Sequence, residues 1–220
     1  MKKKFIFIPF LLASLSLQLY GRSGLYIGGN VGFLGDSTIT NISVNYDDGS
    51  AVSGTATADT SFRNALGFKG QIGYKYDFQE KYSLIFAFGH ANKTTEKSDG
   101  IRGDIDSTDI SGLAQFKLIE KWFMRIGVNY PISIRYSPTH DDRTRNGIQG
   151  GTLDANGLLG YDVSFDYYLM TGFAVSLGYS LTNLEVLEER TDGTEYTVKF
   201  DATHGQFVFG LDYTVPLGFL

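Results

Sequence analysis

Between Trp122 and Tyr136 the chain alternates with a period of two. Trp122, Met124, Ile126, Val128, Tyr130, Ile132, Ile134 and Tyr136 form one row, and Phe123, Arg125, Gly127, Asn129, Pro131, Ser133 and Arg135 form the other. A face that is wholly apolar beside one that is mostly polar or small is the signature of an extended strand. A helix would scatter Arg125 and Asn129 among the apolar residues. Pro131 lacks the N–H that a ladder needs, so a local bulge is expected there.

The pattern recurs seven times. Apolar rows are Leu25, Ile27, Val31 and Phe33; Leu66, Phe68, Ile72, Tyr74 and Tyr76; Tyr82, Leu84, Phe86 and Phe88; and Ile110, Ala114, Phe116 and Leu118. After the central strand come Leu153, Ala155, Leu159, Tyr161, Val163 and Phe165; then Phe173, Val175, Leu177, Tyr179 and Leu181; then Phe207, Phe209, Leu211, Tyr213 and Val215. That makes eight strands. Connections at 77–81, 119–121 and 168–172 are tight, whereas those at 35–61, 92–104, 137–152 and 183–197 are long and polar. Short turns at one end and long loops at the other describe an up-and-down membrane barrel, and an even strand count returns both termini to the turn side. Ile42, Val44 and Tyr46 also alternate, which extends the first hairpin beyond the membrane. With 27 Gly, 15% aromatics and no Cys, the composition favours β structure and excludes disulfides and thiolate metal sites.

The N-terminus reads as an export signal over residues 1–21, with the barrel domain spanning 22–220. Lys2, Lys3 and Lys4 precede an apolar stretch from Phe5 to Leu19, and Gly21 offers a small residue for cleavage. That stretch holds Pro9, Ser14, Ser16 and Gln18 and falls short of the roughly 20 residues of a spanning helix. Cleavage would lower Lys plus Arg from 19 to 16 against 24 Asp plus Glu, a net charge near -8. Such a charge argues against a nucleic-acid partner.

Alternation alone does not say which row faces lipid, but volume does. A bore of eight strands is just wide enough for side chains, so dozens of large apolar residues must point outward. The inward row then carries Lys69, Lys75, Lys117, Arg125, Asp162, Asp166 and Asp212 among Gly and Ser. Turned outward, each Lys or Arg near the midplane would cost about 2–4 kcal/mol. Tyr76, Phe78, Tyr82, Trp122, Tyr167 and Phe173 gather at the turn side, with Tyr130 and Tyr136 toward the loops, as two lipid-facing girdles would. Opposite charges in a dehydrated bore should pair, so the inward set is expected to form a salt-bridge network that closes the barrel. Water lining the same residues is the alternative.

The last apolar row runs on through Leu217 and Phe219, with Pro216 interrupting and Leu220 final. With the signal, the strand count and the loop asymmetry, it resembles the last strand of small eight-stranded outer-membrane barrels, typified by proteins A (its membrane domain), X and W. The resemblance implies an all-β transmembrane barrel in the outer membrane, acting as a monomer with periplasmic termini and lipid as its immediate partner. The A and X types imply a closed bore and a role in membrane structure or in adhesion to a host or cell-surface ligand through the loops. The W type implies passage of small hydrophobic compounds. Inward Tyr26, Ile85, Leu113, Phe123, Leu158 and Val208 lean that way, although charges and small residues dominate the row.

Some such barrels act on lipid A with a rim histidine, hydroxyl and carboxylate. Here His90 falls on the lipid-facing row, His140 in the third long loop and His204 on the inward row, without a nearby serine in the spacing of that enzyme type. No catalytic residue, cofactor or metal site is therefore expected. The loop carboxylates (Asp47, Asp48, Asp99, Asp104, Asp141, Asp142, Glu188, Glu189 and Asp192) lack calcium-loop spacing and read as solvated charge. Gly28-Gly29-Asn30-Val31-Gly32 sits in a strand with no helix following, so it serves barrel curvature and not phosphate binding.

Overall fold

The computed structural model describes residues 23–46, 54–55, 60–78, 81–96, 102–138, 153–190 and 196–217. The strands in order are β1 (Gly24–Phe33), β2 (Gly35–Tyr46), β3 (Gly54–Thr55), β4 (Thr60–Phe78) and β5 (Tyr82–Glu96), then β6 (Arg102–Ile119), β7 (Trp122–Pro138), β8 (Leu153–Met170), β9 (Phe173–Arg190) and β10 (Tyr196–Pro216). From β4 to β10 each strand pairs antiparallel with the next. β1 closes the ring against β10 and β4, and β2 pairs with those same neighbours. β1 and β2 are thus one stave of the wall, broken at Leu34, whose φ is 45°. β3 is a two-residue bridge onto β2. The result is a closed, antiparallel, up-and-down barrel of eight staves.

The turn-side connections are tight. In the last of them Gly172 takes φ 82°, and a Cβ there would sit 2.5 Å from the Thr214 carbonyl oxygen, so only glycine fits. At the other end the strands run further than the sequence rows suggest. β5 continues to Glu96 and β6 begins at Arg102, shrinking the expected 92–104 loop to 97–101. β2 likewise runs through Ile42, Val44 and Tyr46. Above the membrane the outer face of a strand meets water and turns polar, so the apolar row stops while the backbone ladder continues.

Burial is inverted relative to a water-soluble protein. Among the described residues, 33 large apolar side chains are exposed, while the buried set holds 20 polar or charged residues and only 10 hydrophobic ones. An apolar exterior of that extent is incompatible with water on all sides; surrounded by hydrocarbon it is a transmembrane barrel of the outer-membrane type. On β5 and β6 the apolar band ends at the Phe88–Ile110 pair. Beyond it lie the pairs His90–Thr108, Asn92–Asp106 and Thr94–Asp104, so a polar collar of strand stands above the membrane.

Two bulges reverse the parity of the rows. Asp109 pairs with Pro131 but Thr108 pairs with Ser133, leaving Ile132 as an extra residue. That is the bulge expected at Pro131, and it has a consequence the alternation hides. Ile134, expected outward, turns into the bore at 3% exposure, and Arg135 turns out. In β8 the ladder slips between Leu158 and Tyr161. Leu158, expected inward, is 41% exposed, while Ala155, expected outward, packs against the inner cluster. Residues 1–21, expected as the signal peptide, lie outside the described residues, as do Phe219 and Leu220.

Candidate functional site: the barrel bore

Side chains from opposite staves meet across the bore at successive levels. Nearest the turns, Lys75 of β4 donates from Nζ to the Tyr168 hydroxyl of β8 at 2.7 Å. It also forms an ion pair with Asp77 Oδ1 at 3.5 Å, without a hydrogen bond. Tyr168 donates to Gln115 Oε1 (3.1 Å), and Gln115 Nε2 donates to Asp166 Oδ2 (2.7 Å). The polar chain therefore leads directly to the next level.

Arg125 of β7 occupies that level. Its Nη2 donates to Asp166 Oδ1 at 2.8 Å and to Asp212 Oδ2 at 2.7 Å, its Nη1 to the Tyr26 hydroxyl at 2.9 Å, and its Nε to Ser164 at 3.1 Å. Four of the five guanidinium N–H groups are used. Tyr26, on the stave facing β7, donates its own proton to Asp212 Oδ1 and packs against Ile85, Ala87 and Leu113. Charge-assisted bonds of this length, shielded from water, are the strong class. Gly28 makes the room: a Cβ there would lie 2.7 Å from both Asp212 Oδ1 and the Tyr26 hydroxyl.

Loopward, Lys69 pairs with Asp109 at 3.0 Å, Asn129 donates to Asp162 at 2.9 Å, and Lys93 of β5 crosses to Thr182 Oγ1 of β9 at 2.9 Å. Lys69, Asp109, Asp162, Lys93 and Thr182 line a cavity of about 40 Å³ that also touches Arg125, large enough to hold water. Beside Thr182, His204 Nδ1 bonds the Ser37 hydroxyl. An apolar cluster of Ile105, Ile134, Leu184 and Ala202 fills the bore further loopward, with Ile105 and Ala202 on facing staves.

Of the charges expected in the bore, Arg125, Asp166 and Asp212 come together in one cluster, and Lys75 joins it through Tyr168 and Gln115. Lys69 and Asp162 line the cavity above. Lys117 keeps the inward parity, in register with Phe123, but at the turn-side end of β6 its side chain is exposed and does not join the cluster. Sequence reasoning missed Lys93, Asp109 and the hydroxyl of Tyr26. Lys93 fell within a segment read as loop, yet extending the inward row of β5 from Ile85 through Ala87, Gly89 and Ala91 reaches it.

On the outer face at the turn side, Tyr82 and Trp122 are exposed, and Tyr76 and Phe173 are half-buried. Trp122 and Tyr167 rings lie 4.9 Å apart, and those of Tyr76 and Phe78 4.4 Å apart. Tyr136 pairs by its backbone with Ile105; its side chain lies outside the described residues. His90 is exposed beside Thr108 and Asp106, and His140 lies outside the described residues. His204 and Ser37 are both buried. Among the described residues no cluster of His, Cys, Asp and Glu has the makings of a metal site.

No protein-family model and no curated protein sequence matches the chain. Solved structures similar to it include Neisserial surface protein A, 14% identical, with 88% of this chain and 99% of that one covered at a TM-score of 0.48. The outer membrane protein OprG from Pseudomonas aeruginosa is 16% identical, covering 87% and 97% at 0.46. The outer membrane protein AlkL is 13% identical, covering 90% and 92% at 0.46.

Proposed function

We propose that this chain, after removal of residues 1–21, is a monomeric outer-membrane barrel that serves membrane structure and surface adhesion through its loop side. Its bore carries no significant solute flux. The observation that supports this most directly is Arg125, which reaches across the bore to Tyr26 and is held there by Asp166, Asp212 and Ser164. A side chain tied to both walls by short charged bonds is a plug, not a lining. Stacked against it are the Lys75–Tyr168 bridge on the turn side and the Lys93–Thr182 bridge and apolar cluster on the loop side. This reading assigns the protein no catalytic step: Ser37 and His204, the serine–histidine pair in the bore, are both buried.

Residues 47–53, 97–101, 139–152 and 191–195 follow the protruding strands in the sequence, and this reading assigns ligand contact to them. Planar-bilayer recording and whole-cell binding test the two halves of the proposal. The wild-type barrel should give no steady conductance, and replacing residues 139–152 by a short turn should abolish cell binding without loss of folded protein. Robust flux of small solutes in swelling liposomes would overturn it.

The apolar cluster of Ile105, Ile134, Leu184 and Ala202 favours a second reading, a narrow path for small hydrophobic solutes entering from the loop side. Under that reading Ile134→Asn would slow uptake of an apolar solute and leave cell binding intact.

A further inference from the structure

The glycines of the wall are of two kinds. At Gly73, Gly127 and Gly178 a Cβ would lie 2.1, 2.3 and 2.2 Å from a carbonyl oxygen of the neighbouring strand, so the backbone itself demands glycine. Gly112 is different. It sits on the outward row of β6, and its Cβ would meet nothing closer than a Phe86 ring carbon at 3.9 Å. Packing does not require glycine there; its effect is to leave the outer face recessed.

The recess is an apolar groove. Phe86, Gly112, Val128 and Tyr161 form one rung across β5, β6, β7 and β8, and the rung turnward of it carries Ala114 and Ile126. Phe86 on one side and Val128 on the other stand above a floor of Gly112 and Ala114, giving a groove of about 590 Å³. That lies within the range of about 300–1,000 Å³ typical of small-molecule sites. The groove is inside the hydrocarbon band, whose loopward limit is the Phe88–Ile110 rung next to it. At its β8 side the Tyr161 hydroxyl has no hydrogen-bond partner among the described residues. A phenol stranded in hydrocarbon is costly. The band's edge, where acyl chains join their headgroups and tyrosines gather, is only two residues or about 7 Å along the strand.

We propose that this groove seats one acyl chain of a lipid in the loop-side leaflet, and that the Tyr161 hydroxyl donates to the carbonyl linking that chain to its headgroup. The site rests on this row facing lipid, and it narrows a general lipid contact to one position. A flexible chain reaches the Gly112 floor, whereas the convex exterior of a second barrel would rest on Phe86 and Val128 and leave the floor empty. A groove this short also offers far less than the roughly 800 Å² per partner of a stable protein interface. The seated chain gains dispersion contacts from both walls and the floor, which hold it through detergent exchange.

The mature barrel is refolded in vesicles of ester-linked phosphatidylcholine or of its ether-linked analogue, which lacks the carbonyl, then transferred to mild detergent for native mass spectrometry. Wild type from ester vesicles should carry one lipid adduct, and from ether vesicles about threefold less of it, the worth of one hydrogen bond. Gly112→Leu fills the groove and should lower the adduct roughly tenfold. Gly29→Leu, on β1 where a Cβ meets nothing within 4 Å, should keep it. Tyr161→Phe should make the two lipids equal. No adduct on wild type, an equal adduct on Gly112→Leu, or an ester preference that survives Tyr161→Phe would overturn the proposal, as would a wild-type dimer that Gly112→Leu dissociates. Tyr161→Phe decides the matter if Gly112→Leu does not fold. Quenching of Trp122 by brominated chains reports the lipid-facing row separately, so a failure of the site and a failure of the row are distinguishable.

Discussion

Replacing Arg125 by Met removes the one cation of the central cluster while keeping most of its bulk. The side chains of Arg125, Asp166 and Asp212 are 8%, 1% and 8% exposed, so water does not screen the pairs. The change deletes four hydrogen bonds and leaves two carboxylates facing each other in the bore. Truncating one partner of a buried ion pair costs about 3–5 kcal/mol, mostly from the stranded charge. That corresponds to roughly a hundredfold to several-thousandfold loss in the folded-to-unfolded ratio, at about 1.4 kcal/mol per factor of ten. The assay is reversible urea unfolding in lipid vesicles, followed by the intrinsic fluorescence of Trp122. Adding Asp166→Asn and Asp212→Asn to Arg125→Met should recover part of the loss, because the stranded charges go with them. A loss under about 1 kcal/mol, the worth of a water-screened surface pair, would show that the bore is hydrated and refute the reasoning.

Two further outcomes follow from the same geometry. Ile126→Arg, on the lipid face in the middle of β7, should destabilise the barrel by about 2–4 kcal/mol, whereas Asn156→Arg, exposed near the loop end of β8, should change stability by under about 0.5 kcal/mol; equal effects in vesicle unfolding would contradict the placement of the hydrocarbon band. Gly28→Ala should cost about 1–3 kcal/mol by overpacking the Tyr26–Asp212 pair, while Gly29→Ala, whose Cβ would meet nothing within 4 Å, should be neutral or slightly stabilising in the same assay.

The barrel is legible in the sequence wherever one face of a strand meets lipid and the other the bore. In that zone hydropathy and backbone share a period of two, so Trp122 to Tyr130 can be placed residue by residue. Legibility ends where that physical contrast ends. Past Phe88 the outer face turns polar, through His90, Asn92 and Thr94, so the apolar row of β5 ends while its ladder with β6 continues. Bulges hide as well: Pro131 announces one, but whether Ile132 or a neighbour becomes the extra residue depends on pairing with β6, so Ile134 is assigned to the wrong side. The slip at Gly160 has no comparable marker. In the bore, parity finds Arg125, Asp166 and Asp212 but not their partners, because the staves that face each other are far apart in the chain. Tyr26 and Arg125 are 99 residues apart.

Trp122 is the single tryptophan, it stands on the exposed apolar row of β7 at the turn side, and every inside–outside assignment follows from its row. Its fluorescence in vesicles made with acyl-brominated lipid therefore tests the account most directly. The emission should be blue-shifted, strongly quenched by brominated chains and hardly at all by aqueous iodide. Emission untouched by brominated lipid, from a protein that stays folded and dispersed without detergent, would mean that this row is packed inside a water-soluble barrel.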